Sequence, residues 1–108
     1  MGRRVNNFQL LQDSITAWAD SAFGKDRKPE SILHHLKKEI DELIQEPMSL
    51  EEYADIGILW LNAADKAGYK IDDLYFAMVG KMWVNKTRKW GRADENGVIE
   101  HLRKDGER

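Results

Sequence analysis

The chain has no cysteine. That excludes a disulfide framework, a thiolate zinc site and a cysteine nucleophile, and it points to an intracellular compartment. Only two prolines, Pro29 and Pro47, interrupt the sequence, so few positions bar a helix. Period-two runs of β-branched residues, the mark of half-buried strands, are missing. Long hydrophobic runs are missing too. The longest apolar stretch, Ile56-Gly-Ile-Leu-Trp-Leu61, falls far short of the roughly 20 residues a bilayer span needs. The opening MGRRVNNFQLLQD carries basic residues but no apolar signal-peptide core. Nor does one sign of charge dominate: 17 basic residues stand against 19 acidic, net −2, which is not the footprint of a general nucleic-acid binder. The expectation is one soluble, cytoplasmic domain over residues 1–108, with no membrane partner, large enough to bury a core without staples.

What is present is helical periodicity in four segments. The first runs from about Asn7 to Ala22, with Phe8, Leu11, Ile15 and Trp18 as its apolar stripe and Gly24 after its end. A polar loop, Lys25-Asp-Arg-Lys-Pro29, leads to the second, from about Ser31 to Gln45, which stops before Pro47. The third starts at Ser49, a good N-cap, and ends at Gly68, a good C′ residue. The fourth spans about Asp72 to Trp90, with Gly91 as its stop, and residues 92–108 form a polar tail expected to be a loosely ordered strap. This is an all-α, four-helix arrangement. Residues Ile56 to Ala64 are apolar nearly all round, and the fourth helix carries two stripes: Leu74, Ala77 and Met78, then Tyr75, Val79, Met82, Trp83 and Trp90. One small bundle cannot bury so much, so a dimer or tetramer is expected to complete it.

Two acidic pairs carry the chemistry. Glu39-Ile-Asp-Glu42 is followed ten residues later by Glu52-Tyr-Ala-Asp55. An i,i+3 pair on a helix places both carboxylates on one face. On a helical wheel Leu33, Ile40 and Ile44 define the core stripe of the second helix, and Glu39 and Glu42 lie on its flank with Ile32, Leu36 and Leu43. Glu52 and Asp55 continue the stripe of Ile56, Leu59 and Ala63. Carboxylates leading into an apolar stripe cost free energy unless neutralised. A hard divalent cation, Mg²⁺ or Mn²⁺, neutralises them best and suits chemistry on phosphates. A simpler account exists for Glu52: Ser49-Leu-Glu-Glu52 is a capping box. His34 and His35 are more readily solvated side chains than ligands. Lys81, Asn85 and Arg88, spaced i, i+4, i+7 on the fourth helix, continue its core face and offer charge and forked donors to phosphate or sugar oxygens.

This ordered set resembles the MazG-like all-α nucleoside triphosphate pyrophosphohydrolases. Trp18, Phe23-Gly24, His35-Leu-Lys-Lys-Glu39, Glu52-Tyr-Ala-Asp-Ile56, Lys81-Met-Trp-Val-Asn-Lys-Thr-Arg-Lys-Trp-Gly91 and Glu100-His101 narrow the resemblance to the small dATP/dGTP pyrophosphohydrolases of bacteriophages, MazZ-type enzymes included. It covers about residues 8 to 102. The resemblance implies cleavage of dGTP or dATP between the α- and β-phosphates, to a monophosphate and pyrophosphate, and a place in phage nucleotide-pool remodelling such as the 2-aminoadenine pathway. It implies Mg²⁺ or Mn²⁺ held by Glu39, Glu42, Glu52 and Asp55, and phosphate or sugar held by Lys81, Asn85 and Arg88. One departure stands out. Many relatives carry a Glu just before the ExxE pair, where this chain has Lys38, on the outer side of the wheel.

No nucleophile triad is visible, so direct attack by water is expected, with Glu39 as its activating carboxylate. Trp18, Phe23 and Trp60 are candidate base platforms and Asn62 a candidate edge reader. Three rival readings stay open: a related hydrolase of dUTP, dCTP or a modified nucleotide, a non-catalytic helical nucleic-acid-binding or adaptor domain, and a catalytically dead dimerisation bundle.

Overall fold

Four helices of 17 residues each, α1 (Asn7–Phe23), α2 (Pro29–Gln45), α3 (Leu50–Lys66) and α4 (Ile71–Thr87), make up most of the computed structural model, which describes residues 7–103. The all-α expectation holds: among the described residues the only β feature is an isolated antiparallel bridge between Trp90 and His101. No described helix is long and apolar enough to cross a membrane.

The helix ends follow local chemistry. Gly24, with φ 101°, closes α1 in the left-handed region, and its N–H donates to the Asp20 carbonyl at 2.9 Å. Helix α2 begins at Pro29, two residues ahead of Ser31, because proline at N1 gives up an amide that has no intrahelical partner. Ser49 caps α3 by accepting from the Glu52 N–H at 3.3 Å. At the other end the Gly68 N–H donates to the Asp65 carbonyl and the Tyr69 N–H to the Ala64 carbonyl, both at 2.9 Å, a Schellman pair that requires the positive φ of Gly68. Helix α4 stops at Thr87, short of Trp90. The following backbone pairs with the tail instead: Gly91 N–H donates to the Glu100 carbonyl at 2.8 Å and Leu102 N–H to the Lys89 carbonyl at 2.6 Å.

The chain divides into two compact units, Met1–Leu74 and Tyr75–Arg108. In the first, α3 packs against both α1 and α2. Its core is Ile15 and Ala19 from α1, Ile32 and Leu36 from α2, and Leu61 and Ala63 from α3. Two stripes differ from the sequence expectation. On α2 the buried line is Ile32 and Leu36, continued by the half-buried Glu39 and Leu43, while Leu33, Ile40 and Ile44 are exposed. On α1 the buried line is Gln12, Ile15 and Ala19, while Phe8, Leu11 and Trp18 are exposed. Sequence periodicity weights every large apolar residue equally; packing selected the faces that pair with α3.

Gln12 is buried where an apolar residue was expected. Its Nε2 donates to the carbonyls of Leu61 and Tyr69, each at 3.1 Å, and its Oε1 accepts from Gln9 at 2.9 Å. Gln9 in turn accepts from the Ile71 N–H, capping α4. A buried amide is tolerable because these bonds satisfy it. Beside it, Thr16 donates to Asp65 at 2.6 Å, Lys70 contacts Asp65 at 2.9 Å, and Lys66 pairs with Asp20 at 2.6 Å. These contacts tie α1 to the end of α3 and the turn after it.

The second unit carries the rest of α4 and the tail up to residue 103; residues 104–108 of the expected strap lie outside the described residues. In it Trp90 meets His101 edge-on at 6.0 Å and donates through Nε1 to the Asn85 carbonyl at 3.0 Å. No residue of α4 is buried, and Tyr75, Phe76, Val79, Met82 and Trp83 are all exposed.

Partial burial works to raise the pKa of Asp65, but the hydrogen bonds from Thr16 and Lys70, with the charges of Lys70 and Lys66, outweigh it and hold Asp65 below the usual carboxylate range. The unfolded chain binds that proton more readily, so Asp65 adds stability above the ordinary Asp pKa of about 3.9, and the gain disappears as pH falls through the folded value. Asp65→Asn is therefore expected to cost about 1–2 kcal/mol near neutral pH, with the Lys70 share reduced by solvent screening. Thermal melts of both proteins from pH 7 to pH 3 should converge at the acid end.

Candidate active site

Packing of α2 on α3 brings three carboxylates together. Oxygens of Glu39, Glu52 and Asp55 all lie within 4.8 Å of one another. Glu39 reaches this point because it continues the Ile32–Leu36 line, four and three residues apart, which is the α2 face that meets α3. Glu42, one turn on, is exposed and outside the trio, yet it acts on Glu39. A hydrogen-bonding contact with Glu42 is the largest cause of a raised Glu39 pKa, followed by partial burial and the neighbouring charges of Glu42 and Glu52. On the other side His35 Nε2 lies 3.3 Å from Glu39 Oε1, an i,i+4 contact that orients the carboxylate.

Glu52 decides between capping and site. Ser49 does accept from the Glu52 N–H, so half of the capping box exists. The other half requires the Glu52 carboxylate to take the Ser49 N–H, and that N–H donates to the Glu46 carbonyl at 3.1 Å instead. Glu52 Oε2 is left buried with no hydrogen-bond partner. A buried carboxylate oxygen with no donor, beside two more carboxylates, is a strongly unfavourable arrangement for the protein alone. A divalent cation removes both the repulsion and the missing partner, so the donor set fits Mg²⁺ or Mn²⁺. Glu39, Glu52 and Asp55 would hold it, with Glu42 within one helical turn.

Next to the trio lies a cavity of about 260 Å³, with Glu39, Asp55 and His35 among its lining residues. Trp18, Phe23, Arg27 and Asn62 also line it, over an apolar wall of Ile15, Ala19, Ile58 and Leu59. Trp18 and Phe23 meet edge to face at 5.2 Å, and both are more than half exposed, at 58% and 59%. Asn62 is buried; its Oδ1 accepts from Arg27 Nη1 at 3.1 Å, and its Nδ2 donates to Thr16 at 3.3 Å. Glu39 and Asp55 belong to both the trio and the cavity.

Of the residues singled out from sequence, the structure therefore gathers Glu39, Glu52, Asp55, Trp18, Phe23 and Asn62 in the first unit, with Glu42 at the edge. Trp60 does not line the cavity. It sits about 100° around α3 from Leu59, on another face. Lys81, Asn85 and Arg88 belong to the second unit; Lys81 is exposed and Asn85 and Arg88 are half-buried. Arg88 falls just past the end of α4, where its N–H donates to the Asn85 carbonyl at 3.3 Å. Sequence reasoning missed Arg27, which sits in a polar loop with no periodicity to mark it.

Comparison with known proteins bears on this geometry. Residues 11–108 match the family described as dATP/dGTP pyrophosphohydrolase. The dATP/dGTP diphosphohydrolase of Cyanophage S-2L is 35% identical over 94 residues, covering 85% of this chain and 85% of the relative. The dATP/dGTP diphosphohydrolase of Salmonella phage PMBT28 is 38% identical over 93 residues, covering 85% of this chain but only 30% of that longer protein. The solved structure of the Cyanophage S-2L MazG-like pyrophosphohydrolase, bound to dGDP and three catalytic Mn²⁺ ions per active site, aligns with a TM-score of 0.75 at 32% identity, covering 92% of this chain and 100% of that one. The family match spans the ExxE and ExxD pairs, the cavity walls and the Lys81–Arg88 segment, and the chain belongs to the dATP/dGTP pyrophosphohydrolase family.

Proposed function

We propose that this protein hydrolyses a purine deoxynucleoside triphosphate, dGTP or dATP, to the monophosphate and pyrophosphate, with Mg²⁺ or Mn²⁺. The observation that carries the reading is the shared wall: Glu39 and Asp55 belong at once to a trio of carboxylates within 4.8 Å and to a cavity flanked by Trp18 and Phe23. A base lodged against these aromatic side chains beside a cation site leaves its phosphates at the carboxylates. The relatives' names and the dGDP and Mn²⁺ of the related structure support the same chemistry.

Each residue then has a task. Glu39, Glu52 and Asp55, helped by Glu42, would hold the cation, which would supply positive charge to the phosphates. Glu39 accepts a proton from the attacking water, and His35 holds that carboxylate in place. With no cysteine in the chain and no serine among the cavity residues, water is the nucleophile: its oxygen bonds to phosphorus and pyrophosphate leaves. Trp18 offers the base a stacking face, with Phe23 packed edge to face beside it. Lys81 and Asn85 of α4 and Arg88 just past its end would be donors to phosphate or sugar oxygens. Such a reaction draws on the nucleotide pool of the cytoplasm.

Self-association belongs to the same proposal. Tyr75, Phe76, Val79, Met82 and Trp83 expose large apolar side chains along α4, the kind of surface that marks an interaction site. A second copy of the chain would cover it, as a dimer or tetramer.

Three outcomes test this reading. Incubation with dGTP or dATP and Mn²⁺ should release monophosphate and pyrophosphate, and Glu39→Gln should slow release by roughly 10²–10⁴-fold. Diphosphate and orthophosphate as products would overturn it. Saturating Mn²⁺ should raise the melting free energy of the wild type, by about 2.7 kcal/mol at a hundredfold excess over Kd, and this gain should vanish in Asp55→Asn. Light scattering should report an oligomer that Trp83→Glu shifts toward the monomer; a monomeric wild type would remove the assembly from the proposal.

A further inference from the structure

Arg27 is the one strong hydrogen-bond donor in the cavity wall that the proposed reaction leaves without a task. Its guanidinium is fixed from two sides. The Cζ atom sits 5.0 Å from the centroid of the Phe23 ring, a cation–π distance. One Nη1 N–H is held by the buried Asn62 Oδ1 at 3.1 Å. Asn62 is itself anchored through Thr16, which is bound to Asp65. A chain of buried and half-buried groups thus aims Arg27, although Arg27 lies in the loop between α1 and α2.

A guanidinium carries five N–H donors and no acceptor. With one donor engaged by Asn62, the rest of the fork remains for a ligand in the cavity it lines. The other polar cavity residues, Glu39, Asp55 and His35, are at the cation site, so the edge of a base held by Trp18 and Phe23 has Arg27 and Asn62 as its polar neighbours. Asn62 already spends its carbonyl oxygen on Arg27 and an amide N–H on Thr16. Guanine offers two acceptors, O6 and N7, to such a fork. Adenine offers N7 beside an N6 amino group, a donor that meets another donor.

We propose that Arg27 is a specificity-determining residue that reads the O6/N7 edge of a 6-oxopurine, with Asn62 as its positioning residue, so that the site favours guanine over adenine nucleotides. This rests on the cavity being the base pocket of a nucleoside triphosphate pyrophosphohydrolase, and the test separates the two ideas. Pyrophosphate release is measured for dGTP, dITP, dATP and the 2,6-diaminopurine deoxynucleoside triphosphate with Mn²⁺. If the wild type cleaves none of them, the pocket reading fails and this one with it. If it cleaves them, kcat/KM for the two 6-oxo substrates should exceed that for the two 6-amino substrates by roughly tenfold or more, the discrimination one bidentate pair carries. Equal values across the four would overturn the role of Arg27 while leaving the hydrolase reading intact.

Variants provide the second arm. Arg27→Gln substitutes a side chain able to pair with adenine N6 and N7. It should lose roughly tenfold to a hundredfold in kcat/KM for dGTP and change less than threefold for dATP. Arg27→Lys keeps the charge but not the fork, and should also lose the preference. Asn62→Ala should shrink the dGTP to dATP ratio through KM, a change that simple loss of stability would not produce. Equal losses for both nucleotides in all three variants would overturn the assignment. Should a variant fail to fold, the wild-type comparison of 6-oxo with 6-amino substrates still decides.

Discussion

Everything in this site depends on the contact between α2 and α3, which drives three carboxylates to within 4.8 Å of one another. Like charges about 4 Å apart repel by about 1 kcal/mol in water and about 4 kcal/mol near a protein surface. The apolar pairing of Ile32 and Leu36 with the α3 core works against that repulsion. The contact with Glu42 first, then partial burial and the contact and charge of Glu52, raise the pKa of Glu39. The unpartnered Glu52 oxygen points the same way. A fold that holds such a cluster has traded some stability for a place where a cation binds.

The polar groups of the first unit divide into two kinds. Gln12, Thr16, Asp65 and Lys70 are closed on one another and on backbone carbonyls, and serve the joint between α1, α3 and the turn before α4. Glu39, Glu52, Asp55 and Arg27 keep unspent hydrogen-bonding or charge capacity toward the cation site or the cavity. Asn62 joins the two sets, since its amide links Arg27 to Thr16. Rigidity of the structural network thereby reaches the Arg27 end of the cavity.

Much of this was legible in the sequence. Four helices, their stops at Gly24 and Gly68, and the inward lean of Glu39 followed from periodicity and capping chemistry. The pairing of helix faces was harder. Leu33, Ile40 and Ile44 look like a core stripe, and Phe8, Leu11 and Trp18 look like another, because a wheel cannot distinguish a face that meets α3 from one that stays apolar and exposed. Gln12 was invisible as a core residue because its partners are carbonyls 49 and 57 positions away.

The sequence by itself determined the chemical inventory: helices rather than strands, no cysteine thiolate to serve as a nucleophile, and enough carboxylates at i,i+3 spacing to bind a hard cation. Local rules act over three or four residues, so these features needed no partner element. Only the tertiary structure decided that Glu52 leaves its capping box half made, that Trp60 turns away from the cavity while Trp18 and Phe23 flank it, and that a loop arginine is held by a buried asparagine from α3. Each of those outcomes depends on which helix faces meet, and that is settled by the best burial available to the whole chain rather than by any segment of it.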